Sequence, residues 1–381
     1  MRALCGSVLL AATVASCPIA FAQELQPEQV TTETIATGTK KIFVADIAIG
    51  HIVDGRMRVY DADSLKMLGM IGTGFAGQVY VPAGKDVVYV STSYIEKISR
   101  GKRSDWLEIY DSNSLQLKSE IEISDDRAQA LNYRPLMQGS TDDRWMFIQD
   151  ATPATSITVV DLQAEKQTGD IPNPGCYGIF PSVSDPQKFS TLCGDGTFGT
   201  YVLSKDGTNA ERKASEPIFD ADADALFLHG ERYGSNWMFV SFTGNIFIVD
   251  LEGDTAKLVD KIAMTEGIDG NWRPSGYQPH AVHKNGTAFI LMHPNGEEGS
   301  HKNPAEEIWA YDLANKKLLS RSPTTTAFSV ALGQDEQPVV YAINLVESKV
   351  HRYTSDPAKG FTLTPAGEQA AGEAPIQLES Q

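Results

Sequence analysis

One short pattern recurs along this chain of 381 residues and restricts the folds that it can adopt. In the first copy, RMRVYDADSLKMLGMI, residues alternate in character as far as the first aspartate, which is typical of a strand with two unlike faces. Asp and Ser side chains then bond to their own backbone and predict a tight turn into an antiparallel return strand. The same strand–Asp–turn–strand unit recurs at Asp61, Asp111, Asp161, Asp250 and Asp312.

The spacing of these aspartates predicts the architecture. The first two intervals are 50 residues each, and the 89 residues between Asp161 and Asp250 leave room for a degenerate copy around Tyr201–Asp206. A period of this length, with several short strands per copy, is typical of a β-propeller. We therefore predict an all-β fold over residues 40–381, a propeller of seven blades with four antiparallel strands each.

The two ends of this region are expected to meet in one blade. The first blade begins at Lys41 and shows only the three strands KIFVADIA, RMRVYDA and KMLGMI. The C-terminal segment APIQLES, which follows a connector rich in Gly, Ala and Glu, is the natural donor of the fourth. A strand added there would close the ring and remove an exposed sheet edge.

The N-terminal residues have the features of an export signal. Arg2 supplies a positive start, residues 8–15 are apolar, and the Ala-Phe-Ala sequence at 20–22 is a small-x-small cleavage site. This pattern predicts a signal peptide over residues 1–22 and a periplasmic mature chain. The alternative is a lipoprotein acylated at Cys17, which follows a Val-Ala-Ser sequence.

Composition limits the partners of the mature chain. Polar residues 23–39 are predicted to form a flexible N-terminal arm or a subunit contact. A formal net charge of −17 argues against nucleic acid as a partner. No later stretch approaches the roughly 18 apolar residues of a transmembrane helix, so no membrane span is expected.

After export only Cys176 and Cys193 remain, and one disulfide is their simplest state in an oxidising compartment.

Strand parity places the longest loops on one face. In antiparallel blades, connections between blades lie on the same side as connections from second to third strands. The segments assigned to that side are Gly72–Gly77, the loops 96–105, 150–156 and 295–305, and the two cysteines Cys176 and Cys193. Long loops on one face of a rigid scaffold indicate a binding surface.

Two features of these loops have competing interpretations. Gly72-x-Gly74-x-x-Gly77 matches a dinucleotide fingerprint, but it leads into strand-like residues and provides no helix N-terminus for a pyrophosphate. Three basic residues form a cluster in an acidic protein, and either a solvated loop or a contact with an acidic partner subunit explains them: Arg100, Lys102 and Arg103.

Two further groups resemble metal ligands, and each has a structural explanation. Four acidic residues have calcium-loop spacing, but Ala225 occupies the turn position: Asp220, Asp222, Asp224 and Glu231. His280 and His283 would point to opposite faces of a strand, which favours core or surface histidines. No Ser-His-Asp arrangement, HExxH pair or CxxC motif is present, so the sequence shows no catalytic apparatus of its own.

Four long segments resemble the heavy subunit of the quinoprotein amine dehydrogenases. They occur in the family's order, over about Ile42 to the final strands: ISRGKRSDWLEIYDSNSL, DATPATSITVVDL, GCYGIFPSVSDPQKFSTLCGDG and LMHPNGEEGSHKNPAEEIWAYD. The resemblance is closer to the aromatic amine dehydrogenase branch than to the methylamine branch, at RGKRSD, ATPATS and HPNGEEGSHK.

The resemblance implies a seven-bladed propeller in a periplasmic assembly of two heavy and two light chains. In that family the small, cysteine-rich light chain carries the tryptophan tryptophylquinone cofactor and the catalytic base, so neither a cofactor nor a catalytic residue is expected here. Electrons leave to a blue-copper protein, azurin or amicyanin. Phe75 corresponds to the heavy-chain phenylalanine that lines the substrate channel, and Cys176 with Cys193 to the family's disulfide.

The function expected is therefore that of a scaffolding and substrate-gating subunit, in an enzyme that deaminates primary amines, preferably aromatic ones. Two other classes of protein are alternatives. One is a periplasmic propeller that serves as a binding or assembly scaffold without a redox role. The other is a propeller hydrolase or lactonase, for which the sequence shows no constellation of acid, base or metal ligands.

Overall fold

The computed structural model describes residues 33–130 and 132–381, and strands dominate these ranges. The predicted signal peptide, Cys17 and the first part of the predicted arm lie outside them. The strands are β1 (Lys41–Asp46), β2 (Gly55–Asp61), β3 (Met67–Tyr80), β4 (Val87–Ile95), β5 (Arg103–Asp111), β6 (Leu117–Ile123), β7 (Met137–Gly139), β8 (Trp145–Asp150), β9 (Ser156–Asp161), β10 (Lys166–Pro172), β11 (Cys176–Pro181), β12 (Lys188–Cys193), β13 (Phe198–Leu203), β14 (Ala210–Ala214), β15 (Leu226–Tyr233), β16 (Asn236–Ser241), β17 (Asn245–Asp250), β18 (Lys257–Ala263), β19 (Arg273–Pro274), β20 (His280–Val282), β21 (Thr287–His293), β22 (Ala305–Asp312), β23 (Lys317–Gly333), β24 (Val339–Asn344), β25 (Lys349–Asp356), β26 (Thr362–Ala370) and β27 (Pro375–Ser380). Short 3-10 helices cover Ile49–Asp54, Arg134–Leu136, Ser300–Lys302 and Pro357–Lys359.

Consecutive strands pair antiparallel in groups of four. The sheets β7–β10, β11–β14 and β15–β18 each contain one such group. The other two sheets are longer because β3 and β23 change partners midway. The first half of β3 pairs with β2 as far as Gly74, whereas Phe75–Tyr80 pairs with β4. This all-β arrangement of four-stranded antiparallel sheets agrees with the fold class predicted from the repeat.

The Gly72–Gly77 segment connects two successive groups of four strands, as predicted, but it does so inside a strand, so its prediction as a loop was wrong. Backbone pairing continues through it, with a bend at Gly74 (φ 59°) and Ala76 (φ 46°) where β3 exchanges partners. A glycine-rich segment resembles a loop in sequence, but here it allows one strand to bend from one group of four strands into the next.

The anchoring aspartates close the turns between the third and fourth strands, as the repeat predicted. Asp61 Oδ1 accepts the backbone N–H of Ser64 at 2.8 Å, and the Ser64 hydroxyl and N–H lower the pKa of that carboxyl. The other repeat aspartates accept equivalent backbone hydrogen bonds: Asp111, Asp161, Asp250 and Asp312. So do two aspartates of the degenerate copies, Asp206 and Asp356.

The core lies between successive four-strand groups. Phe147 on β8 contacts Phe189 on β12 with ring centroids 4.7 Å apart, and Phe180 on β11 contacts Phe239 on β16 at 5.0 Å. All four side chains are buried, and full burial of such a side chain stabilises the fold by about 1.5–3 kcal/mol. Each group therefore depends on its neighbours.

The first strand of each group will be called an inner strand, because these strands contact one another in succession. The series runs β3 (Phe75–Tyr80), β7, β11, β15, β20, β23 (Ala327–Gly333) and β27. The C-terminal β27 pairs antiparallel with β1, so the last strand completes the group to which β1 belongs. Within the described ranges, no helix has the length and apolar character needed to cross a bilayer.

Candidate functional site

Phe75 is the first residue of an inner strand, at the bend of β3. Its side chain is partly exposed, and its backbone pairs with Ser93 of β4. The positive φ angles at Gly74 and Ala76 turn the chain on both sides of it. The bend therefore presents one aromatic ring at the N-terminal ends of the inner strands, on the side where the sequence placed the binding surface.

A buried arginine holds the backbone that carries Phe75. Arg127 is 1% exposed, and its guanidinium donates to the carbonyl oxygens of Phe75 and Ala76 and, at 3.0 Å, to Ser93 Oγ. Burial lowers the pKa of Arg127 to about 10, which leaves it protonated at neutral pH. Charged donors make stronger hydrogen bonds than neutral ones, so this contact restrains the bend.

Asp105 lies between Arg127 and one of the predicted interface residues. Its carboxylate is fully buried, 3.8 Å from Arg127 Nε, and it accepts a hydrogen bond from Arg103 Nε at 2.8 Å. Arg103 also donates to the Arg127 carbonyl at 3.2 Å. Arg103 is therefore committed to an intramolecular network that supports the bend of β3.

The other two basic residues lie on an exposed tip. Arg100 and Lys102 belong to the turn between β4 and β5, and within the described chain neither side chain has a hydrogen-bond or ion-pair partner. Ile98, at the same tip, is 73% exposed. Of the three basic residues, Arg103 therefore has intramolecular partners, whereas Arg100 and Lys102 are available to a partner protein.

Asp150, at the end of β8, is a second buried acid beside Arg127. Its Oδ2 accepts from the hydroxyls of Ser156 (3.1 Å) and Thr158 (3.0 Å), whereas Oδ1 has no partner among the described residues. Burial raises the pKa of Asp150 to about 7, against these two hydrogen bonds. This carboxyl changes charge near neutral pH within the candidate site.

Arg127 and Asp150 were not predicted as functional residues from the sequence. Asp150 and Gln149 follow the apolar run WMFI, and a carboxylate at the end of a buried strand was the available signal. Arg127 had no local signal, because its side-chain partners other than the adjacent Ala128 carbonyl are 22 to 52 positions away in the chain and are brought to it by the fold.

Cys176 and Cys193 lie at the same end of the inner strands as Phe75. Cys176 begins β11, Cys193 ends β12, and the paired residues are joined by a disulfide. Arg212 Nη2 lies 3.5 Å from Cys176 Sγ. The bridge covalently fastens the start of an inner strand to its neighbour.

Aromatic rings from three separate segments also meet at this end. Tyr133 and Tyr277 have ring centroids 6.1 Å apart, and Tyr277 stacks on Phe328 at 6.2 Å. The Tyr277 N–H donates to the Phe328 carbonyl at 2.7 Å, which fixes the two segments together. These rings thus gather at the N-terminal ends of the inner strands, the end that also carries Phe75.

The residues whose spacing resembles that of metal ligands bond to other groups of the protein. Asp224 accepts from Thr243 and Asn245, while Glu231 pairs with Arg134. His280 and His283 bond to the carbonyl oxygens of Met238 (3.2 Å) and Asp335 (2.8 Å). Among the described residues, no three His, Cys, Asp or Glu side chains gather as metal ligands.

Comparison with solved structures concerns the fold. The periplasmic gluconolactonase of Pseudomonas aeruginosa is similar with a TM-score of 0.60 at 13% identity, over 90% of this chain and 98% of its own. The dihydro-heme d1 dehydrogenase NirN is similar with a TM-score of 0.56 at 13% identity, over 91% of this chain and 66% of its own. These propeller-like neighbours agree with the repeat of four-stranded sheets.

Sequence comparison identifies the family. The family described as methylamine dehydrogenase heavy chain (MADH) matches residues 38–375. The methylamine dehydrogenase heavy chain of Methylophilus methylotrophus is 27% identical over 98% of this chain and 95% of its own length. That of Paracoccus versutus is 24% identical over 91% of this chain and 80% of its own. The chain belongs to the methylamine dehydrogenase heavy chain family.

Proposed function

We propose that this chain is the non-catalytic heavy subunit of a periplasmic amine dehydrogenase. The observation that carries the proposal is the family match over residues 38–375. This range includes all the inner strands except β27, of which it includes only the first residue. The overall reaction would convert R-CH2-NH3+ and water into an aldehyde and ammonium, releasing two electrons and two protons. The competing scaffold without a redox role has no comparable support.

The redox chemistry would belong to a partner. A small, cysteine-rich light chain, in an assembly of two heavy and two light chains, would carry tryptophan tryptophylquinone, which takes up the two electrons. A blue-copper protein of the azurin or amicyanin type would then accept them. The heavy chain would bind the light chain, exclude water and shape the path of the amine.

The fold suited to this role is a closed ring of seven blades. Three observations support closure: the inner strands contact one another in order, β27 completes the group of β1, and Gln377 Nε2 donates to the Val79 carbonyl at 2.8 Å, which links β27 to β3. A closed ring would hold the N-terminal ends of the inner strands as one rigid docking surface.

Phe75 would narrow the substrate channel at this surface. Its backbone is restrained by Arg127, and Tyr133, Tyr277 and Phe328 offer further aromatic surface at the same end. Such surroundings favour an amine with an aromatic side chain. Arg100 and Lys102, exposed on the tip between β4 and β5, would contact acidic groups of the light chain.

The decisive experiment is purification from the native host under non-reducing conditions. We expect a small subunit to accompany this chain through size-exclusion chromatography, with visible absorption that is bleached by a primary amine. Benzylamine-type and short aliphatic amines would be compared as donors. Recovery of the chain without any chromophoric subunit, from cells that oxidise amines, would contradict the proposal.

A further inference from the structure

A concave region lies at the opposite end of the inner strands from Phe75. This cavity has a volume of about 630 Å³ and is lined where inner strands end, for example by Tyr80 of β3, Phe180 of β11, Arg232 of β15 and Ser380 of β27. Pockets of this size hold small organic ligands. Because Phe75 and Cys176 begin their inner strands, the cavity is separate from the candidate functional site.

Glu231 at the cavity and the nearby Glu379 already have a cationic partner. Arg134 forms an ion pair with Glu231 and a second ion pair with Glu379, whose Oε1 lies 2.9 Å from Arg134 Nε. Burial opposes ionisation of Glu231, but Arg134 and His229 lower its pKa to about 2. Burial raises the pKa of Glu379, which is 5% exposed. Arg134 is therefore neutralised within the protein.

Two other cations at the same cavity have no carboxylate of their own. Arg232 donates from Nη2 to the Pro181 carbonyl at 3.2 Å and lies over the Trp237 ring at 4.9 Å. Among the described residues, no carboxylate forms an ion pair with Arg232 or with Lys284. The carboxylate of Glu252 is engaged by Ser182 Oγ (2.6 Å) and the Val183 N–H (2.8 Å) instead.

The positive charge at this cavity contrasts with the negative net charge of the chain. The formal net charge is −17, yet the cavity combines two unpaired cations with an arginine that is already matched. Glu252 and Glu231 attract Arg232 only from beyond ion-pair distance. A partly buried guanidinium loses hydration, so an anion that enters would supply the missing direct ion pair. Tyr80 and Trp237 add aromatic surface for the carbon skeleton of such a ligand.

We propose that this cavity is a binding site for a small organic carboxylate. The carboxylate would pair with Arg232 and Lys284, and a polar or second acidic group would reach the side-chain amides of Gln138 and Asn285. Planar guanidinium groups match carboxylates in a bidentate manner, which favours a carboxylate over chloride. The ligand would bind without taking part in amine oxidation, because it lies at the other end of the inner strands.

Calorimetric titration of the purified native protein with glutarate tests the proposal. We expect saturable binding at millimolar concentrations, no binding of the neutral diamide glutaramide, and weaker binding in high salt. Arg232→Gln should weaken glutarate binding about 10- to 100-fold, because a charged hydrogen bond is lost. Lys284→Gln should weaken it about tenfold, and this variant leaves the contact with Trp237 intact.

Lys97→Gln is the matched control. It removes the same charge from an exposed turn between β4 and β5, so glutarate affinity should stay within about twofold of the wild type. The site assignment is refuted if glutarate does not bind, if glutaramide binds equally well, or if Lys97→Gln weakens binding as much as Lys284→Gln. Tighter binding of inorganic phosphate than of any carboxylate would refute the ligand class.

Discussion

A single buried cation connects most of the residues of the candidate functional site. Arg127 contacts the carbonyl oxygens beside Phe75, the hydroxyl of Ser93 and the carboxylate of Asp105. Removing one partner of a buried charged network leaves the others desolvated and unpaired, at a cost of about 3–5 kcal/mol. The position of the Phe75 ring therefore depends on residues that never reach the surface.

Replacing Phe75 tests whether this ring selects the substrate. Phe75→Ala should change relative kcat/KM among short, long and aromatic amines by roughly 10- to 200-fold, since a pocket discriminates each methylene-sized change by about 1–3 kcal/mol. Steady-state kinetics of the assembled enzyme with an amine series provide the measurement. Because the ring is partly exposed and is not part of the core, its removal should leave this chain folded and the subunits assembled. An equal change for every amine, or loss of assembly, would make Phe75 an interface residue.

The buried acid next to Arg127 makes stability depend on pH. The pKa of Asp150 is raised from 3.8 to about 7 in the folded protein, so the folded state holds its proton more tightly than the unfolded state. The stability from this proton is fully present below about pH 4 and is lost as pH rises through about 7. At most, the difference is on the order of 4 kcal/mol.

Asp150→Asn should remove this dependence, because an amide does not ionise. The melting temperature of the variant relative to wild type should therefore rise between pH 5 and pH 8, as measured by differential scanning calorimetry. Asp254→Asn, at a side chain that is 91% exposed, is the control and should give a constant difference. A difference for Asp150→Asn that stays constant with pH would show that this carboxyl does not titrate in that range.

At the scale of the element, β3 shows how far the sequence could predict the fold. The Asp-anchored turns are local, since each aspartate bonds to N–H groups two or three residues later, and they were predicted correctly. Gly72–Gly77 was correctly predicted to connect two groups of strands, but the form of the connection was not, because a bend inside a strand and a loop between strands use the same residues. Arg127, Asp105 and Asp150 are joined only by tertiary contacts, which a single sequence does not show.

Three glycines of β3 provide an internal comparison. Gly74 has φ 59°, and a Cβ there would overlap Thr92 Oγ1; a Cβ on Gly77 would overlap the Thr73 carbonyl oxygen. A Cβ on Gly72 would meet nothing within 4 Å. Gly74→Ala and Gly77→Ala should therefore lower the free energy of unfolding by about 1–3 kcal/mol, and Gly72→Ala by less than about 0.5 kcal/mol. Chemical denaturation of the three variants measures these values, and equal effects would contradict the bend.

At the scale of the whole molecule, the C-terminal strand contacts segments that are distant in sequence. Leu378 is fully buried among residues of β1 and β24, including Ile42 and Ile343. Its N–H and carbonyl both bond to the side-chain amide of Gln278, at 3.1 and 2.8 Å. Ser329 Oγ also donates to the Ile376 carbonyl at 2.6 Å. β27 thus fastens β1 to inner segments of two other groups.

If β27 closes a ring, weakening it should loosen both sides of the closure together. Leu378→Ala should lower the free energy of unfolding by about 2–5 kcal/mol through loss of burial and a residual cavity. Gln369→Ala, at an exposed position of β26, should change it by less than about 0.5 kcal/mol. Native-state hydrogen exchange would locate the effect. In a closed ring, faster exchange of Leu378→Ala appears in β1 and also around Val79, Gln278 and Ser329, because β27 bonds to all of them. Faster exchange confined to β1 would mean that β27 is only an added edge strand, and the proposed ring of blades would be wrong.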